Sequence, residues 1–204
     1  MSKAACVIVD VQNDFCAGGA LAVPGAADIF PVITRLIQTA YQNELMIIAS
    51  RDWHPENHSS FVEQGGPWPR HCVQGTGGAK WPAELCLPEN TLIVSKGQAQ
   101  AVEEYSAMLG SVEGDGRDLG AFLLAKGVQQ LLVCGLALDY CVYETALQAR
   151  KQGFAVDLYL PGTRGIDPAR CQQCLQELMS EGVNVLKSEL EASFIDCDEK
   201  GNFA

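Results

Sequence analysis

Four side chains able to take part in chemistry follow short apolar runs in this sequence. Asp10 comes directly after Cys6-Val7-Ile8-Val9, and Asp52 closes a run that starts at Glu44, with His54 two residues further on. Lys96 follows Leu92-Ile93-Val94-Ser95, and Cys141 stands one short turn beyond the run Gln130–Gly135. Each residue alone has an ordinary explanation. An aspartate at a strand end is often a turn former, a lysine there is usually a solvated charge, and a lone cysteine is usually a small core residue. Together they pose a sharper question: whether Cys141 is packing, or a thiol held up to react. A parallel sheet would bring all four strand ends to one rim, where ligands of open α/β sheets bind.

The rest of the chain supports such a sheet. Short runs rich in β-branched residues lie at 5–11, 44–51, 91–96, 130–135, 155–160 and 184–187, and helical patterns lie at 25–43, 117–127, 140–152 and 168–182. The last helix opens with Asp167-Pro168, an N-cap followed by proline at the first helical position. Near-continuous apolar strands separated by helices predict a three-layer αβα protein around a mainly parallel six-stranded sheet, formed by residues 1–204 as a single domain. Segments 53–90 and 97–116 break this rhythm, and irregular stretches of that length in a compact domain are usually functional loops.

Composition narrows the classes. The chain has 204 residues, 48% hydrophobic and 19% charged, which is enough for a sizeable core. A formal net charge of −11 argues against nucleic acid or an anionic membrane as partner. No apolar stretch is long enough to cross a bilayer, and the N-terminus enters an apolar strand too early for a signal peptide, so a cytoplasmic location is expected. Nine cysteines (6, 16, 72, 86, 134, 141, 171, 174 and 197) form an odd set with no sign of an oxidising compartment, so a disulfide framework is not expected. The pair Cys171 and Cys174 shares helical spacing with Leu175 and Leu178, the pattern of a core-facing stripe.

Five motifs carry a resemblance to a known family. "VIVDVQNDF" at 7–15, "RDWHPENHSSF" at 51–61, "WPRHCVQGT" at 68–76, "SKG" at 95–97 and "GLALDYCV" at 135–142 strongly resemble the nicotinamidases of the isochorismatase-like, or cysteine hydrolase, family. The resemblance implies a catalytic triad of Asp10, Lys96 and Cys141. It implies a divalent metal, usually zinc with iron or manganese also suited, held by Asp52, His54 and His71. Ser60 is a further candidate through a water, while His58 is expected to brace the loop and Glu63 is a third nearby side chain. Backbone N–H groups of Ala137 and Cys141 would form an oxyanion hole, beside a cis peptide at Leu136–Ala137. Phe15, Leu21, Trp68 and Tyr105, with Ala137, would form a slot for a flat pyridine ring. The implied reaction is hydrolysis of nicotinamide, and of pyrazinamide-like analogues, to the acid and ammonia through a thioester, in NAD salvage. Relatives form dimers and larger assemblies, so a homo-oligomer is compatible with the resemblance. A thiol beside a lysine near a helix start is also expected to favour its thiolate.

Two other readings compete. Hydrolases of carbamoyl or ureido amides in the same superfamily share the triad but generally lack the metal ligands, and isochorismatase itself does not use the cysteine. A metal- or redox-sensing protein would explain the cysteines and the histidine cluster, but has no need of Asp10 and Lys96 beside Cys141.

Overall fold

Every residue of the strand Ala4–Val9 (β1) is buried, and its side chains alternate between two cores. Ala5, Val7 and Val9 face one, and Ala4, Cys6 and Ile8 face the other. That is the signature of a strand covered on both sides, and it follows from the two-residue period of extended chain. The computed structural model describes residues 4–188 and adds six further strands: β2 (Met46–Asp52), β3 (Leu92–Lys96), β4 (Ser111–Val112), β5 (Gln130–Leu136), β6 (Ala155–Arg164) and β7 (Asn184–Leu186). Their order across the sheet is β4-β3-β2-β1-β5-β6-β7. All pairings are parallel except β3 with β4, which run antiparallel through Val94↔Val112 and Ser95↔Ser111.

The sheet thus has seven strands where the apolar runs predict six. The additional one, β4, is two residues long, too short to show any alternation. Of the nine cysteines, Cys197 lies outside the described residues; the other eight are free thiols.

Four helices complete the layers: α1 (Phe30–Gln42), α2 (Leu119–Ala125), α3 (Tyr143–Lys151) and α4 (Pro168–Ser180). On α1, Ile33, Leu36, Ile37 and Ala40 form one buried stripe against Cys6, Ile8 and Leu132. On the opposite face α2, α3 and α4 pack Leu123, Ala146 and Leu178 against Val7, Val133 and Leu158. Cys174 lies in that core and Cys171 packs against it, as the helical spacing predicts. Asp118 caps α2 through Ala121 N (2.7 Å), and Asp167 caps α4 through Ala169 N (2.8 Å). Two helix starts differ from expectation. A 3-10 turn, Ala26–Ile29, precedes α1, and a π-helical turn, Leu138–Val142, precedes α3. Cys141 belongs to that π-helical turn, a device common at functional sites.

The chain builds outward from β1 through β2 to β3, returns, and builds the other way from β5. The switch falls between β1 and β5, so the carboxyl ends of β1, β2, β3 and β5 meet there. Gly135, with φ +120°, makes this close approach feasible: a Cβ on it would lie 2.1 Å from the Val9 carbonyl oxygen. Among the described residues no helix is long and apolar enough to cross a membrane.

Candidate active site

Asp10 leaves β1 with φ +48°, in the left-handed region. An aspartate tolerates this better than most residues, and the cost of about 1–2 kcal/mol is outweighed by burying Ile8 and Val9 beside it, about 1.5–3 kcal/mol each. The turn points the carboxylate inward. Ser50, on β2, donates its hydroxyl to Asp10 Oδ1 (2.7 Å). Lys96 Nζ lies 2.8 Å from Asp10 Oδ2 and 3.4 Å from Cys141 Sγ, and it also pairs with Asp52 Oδ1. The ligating atoms of Asp10, Asp52 and Cys141 all fall within 4.8 Å of one another. Asp10 and Lys96 are fully buried and Cys141 is 6% exposed.

One ammonium therefore serves two buried carboxylates and a thiol. Burial disfavours the charged form of Lys96, but Asp10 and Asp52 outweigh it and hold the ammonium well above its ordinary range. Burial likewise pushes the Asp10 carboxyl up, against the pull of Lys96. For Asp52 burial acts in the same direction, yet Lys96 and the two imidazoles prevail and hold it below the usual carboxylate range. The thiol departs from expectation. Burial, joined by the charges of Asp10 and Asp52, raises Cys141 well above an ordinary thiol despite Lys96. That direction favours the protonated thiol, beside a carboxylate able to take its proton.

Gln12 braces the end of β2 where the ladder with β1 has stopped. Its side-chain carbonyl accepts from Asp52 N (2.8 Å), and its amide donates to Asp52 O (2.8 Å) and Ala79 O (3.0 Å).

Beyond β2, His54 and His71 complete a second cluster with Asp52. His54 Nε2 lies 3.7 Å and His71 Nε2 lies 3.9 Å from Asp52 Oδ2. Each imidazole commits its Nδ1 to a backbone carbonyl, His54 to Gly97 O (2.9 Å) and His71 to Pro69 O (2.8 Å). That tautomer leaves both Nε2 lone pairs facing Asp52, and the buried His54 Nε2 has no hydrogen-bond partner. Two imidazole nitrogens and one carboxylate oxygen, all within 4.8 Å of one another, are an open donor set that fits a divalent metal. Burial lowers His71, favouring its neutral form; for His54 burial is outweighed by Asp52 and the Gly97 carbonyl, which raise it, so a metal there would compete with a proton.

His58 serves the loop, as expected. It stacks on His54 with ring centroids 4.1 Å apart, and both its nitrogens are engaged, Nδ1 with Ser60 Oγ (2.8 Å) and Nε2 with Val102 O (3.1 Å). Ser60 is buried and uses its hydroxyl there, while Glu63 is exposed.

A cleft partly open to solvent leads to Cys141. Phe15, Leu21, Trp68, Tyr105 and Ala137 all line it, together with Asp52 and His71. Trp68 Nε1 donates to Tyr105 Oη (3.0 Å), which fixes two walls. Tyr140, absent from the sequence expectations, closes the aromatic set, edge-on to Trp68 with centroids 5.0 Å apart. Its position next to Cys141 is the one signal that could have revealed it. Glu103, Val23 and Ile166 also line the cleft. Asp139 holds the Ile166 segment in place by accepting from Ile166 N (3.0 Å) and Asp167 N (2.8 Å). The Leu136–Ala137 peptide is cis, as the resemblance implies.

The chain is similar to known proteins over most of its length. The family model described as Isochorismatase domain matches residues 4–189. The chain is 35% identical to the nicotinamidase of Escherichia coli, over 91% of this chain and 95% of that protein. It superposes with a TM-score of 0.84 on the pyrazinamidase of Pyrococcus horikoshii in complex with zinc, at 42% identity over 91% of this chain and 99% of the other. PnC1 from L. infantum, in complex with nicotinate, gives a TM-score of 0.79 and 38% identity over 91% of this chain and 93% of that one.

Proposed function

This chain belongs to the isochorismatase-domain family, and from that premise we propose that it hydrolyses nicotinamide to nicotinate and ammonia. The observation that carries the reading is the burial of a thiol, an ammonium and a carboxylate in mutual reach at the head of an aromatic cleft. Phe15, Trp68, Tyr105 and Tyr140 offer flat apolar walls for a pyridine ring. Asp52, His54 and His71 would hold zinc, which when bound supplies a Lewis acid for a ring nitrogen and offsets the charge of Asp52.

With the ring seated, the carboxamide carbon faces Cys141. Asp10, whose carboxylate burial makes a stronger base than usual, takes the thiol proton, and the sulfur attacks the carbon. Lys96, between Asp10 and Cys141, balances the negative charge as it moves from carboxylate to sulfur. Backbone N–H groups of Ala137 and Cys141 receive the oxyanion, each such donor typically contributing about 3 kcal/mol. Asp10 returns the proton to the departing nitrogen as the C–N bond breaks, giving ammonia and a thioester. Water, deprotonated by Asp10, then cleaves the thioester and releases nicotinate. The same cleft takes pyrazinamide, which differs by one ring nitrogen. The product acid is a precursor of the kind that NAD salvage consumes.

The test is ammonia release from nicotinamide by metal-replete protein, with Cys141→Ala in parallel. Wild-type turnover and a loss on the order of 10⁴-fold in the variant are expected. Equal rates in the two would exclude the thioester route.

A further inference from the structure

We propose that Glu103 makes the cleft discriminate by charge, favouring the neutral carboxamide over its anionic carboxylate product and so promoting product release. The inference rests on the hydrolysis proposed above, in which an uncharged substrate becomes an anion at the site where it is formed.

Glu103 lines the same cleft as Cys141, Trp68 and Tyr105. Its backbone is held from both sides. The preceding carbonyl, Val102 O, lies 3.1 Å from His58 Nε2, and the next residue, Glu104, accepts from Gly97 N (2.8 Å) through Oε2. Two residues on, Tyr105 Oη accepts from Trp68 Nε1 (3.0 Å). The charge of Glu103 reaches the site, since it disfavours ionisation of Tyr105 and favours protonation of His58.

Glu103 is one of two carboxylates in the lining, with Asp52, and no lysine or arginine lines the cleft among the described residues. Asp10 and Asp52 share the buried Lys96 ammonium, and Asp52, His54 and His71 would hold a cation, so the net field is set by more than the lining; what Glu103 adds to it is one negative charge at the cleft wall. None of the ion pairs found among the described residues includes Glu103. The Debye length at physiological ionic strength is about 8–10 Å, comparable with the reach across such a cleft. One exposed charge at that range in a water-like dielectric disfavours a monoanion by up to about twofold and leaves a neutral ligand nearly unaffected. Substrate and product share a ring and nearly a shape, so charge is the property by which the wall can tell them apart.

The experiment measures KM for nicotinamide and the competitive Ki for nicotinate in wild type, Glu103→Gln and Glu103→Lys. The ratio Ki/KM is expected to fall up to about twofold in Glu103→Gln and further in Glu103→Lys, and high salt should shrink the difference between wild type and the glutamine variant. A ratio unchanged in both variants, with wild-type turnover intact, overturns the charge inference alone. Absence of nicotinamide turnover in the wild type overturns the hydrolase reading, and this inference with it.

Discussion

At the residue scale, the decisive relation is between Asp10 and the groups that set its basicity. The carboxylate must be ionised to take the thiol proton, and burial raises it while Lys96 and the Ser50 hydroxyl lower it. Activity should therefore be lost as pH falls through the raised value of Asp10, above the ordinary carboxylate range. Ser50→Ala removes a donor to the charged form, so the acid limb of kcat/KM should move to higher pH. The rate below that limb should drop about fivefold, the equivalent of roughly 1 kcal/mol for one hydrogen bond. A pH profile of the two proteins reads this, and an unmoved limb would remove Asp10 from the role of base. The role of Ser50 was not legible in the sequence. Ser50 reaches Asp10 only because β1 and β2 pair in parallel with Ile8 opposite Ala49, a register that linear spacing does not encode. The expectation of a favoured thiolate failed for a related reason. The lysine was visible, whereas the two carboxylates crowding Cys141 and the depth of its burial arise only when the strand ends converge.

At the element scale, strand ends and loops divide the work. The strands place Asp10, Asp52 and Lys96 rigidly, and all three were legible because near-continuous apolar runs end at them. The loop after β3 then orients the imidazole of His54. Gly97, with φ +62°, presents its carbonyl to His54 Nδ1, and a Cβ at this position would lie 2.4 Å from His54 Cε1. Gly97→Ala should displace the ring and weaken zinc binding by about 10–100-fold, the usual range for loss of an outer hydrogen-bond partner. Zinc titration with a chromophoric competitor measures this, and unchanged affinity would show that the loop yields without moving His54. Contacts between loops were the least legible part of the site. Gln12 acts from a turn with no periodicity on Asp52 and Ala79, and Tyr140 meets Trp68 across the cleft, so their partners lie far off in sequence. Two-residue β4 was lost for the opposite reason, since so short a strand offers no pattern to detect.

At the scale of the whole molecule, the metal ligands bridge the end of β2 and the loop that carries His71, so binding a cation should stabilise the entire fold. At a free metal concentration of 100 times Kd the gain is about 2.7 kcal/mol, or roughly 5–10 °C in Tm for a chain of this size. Chelation should lower Tm by that amount and abolish ammonia release, with both restored by zinc; a Tm insensitive to chelator would mean that the cluster does not hold metal. The strand order carries a further consequence, for biogenesis. β1 is central, yet one of its two neighbours, β5, lies far along the chain, with Ala4 pairing to Gln130. During synthesis β1 and β2 can associate early, but the other edge of β1, apolar on both faces, must wait for β5 to emerge. Contacts so distant in sequence form slowly, and an unpaired apolar edge invites intermolecular pairing meanwhile. The nascent chain should therefore depend on chaperones until Cys134 and Gly135 dock beside Ile8 and Val9, the step that also brings Cys141 to Asp10. The late pairing of β5 with β1 and the assembly of the catalytic trio are one event, with β6 and β7 added after it.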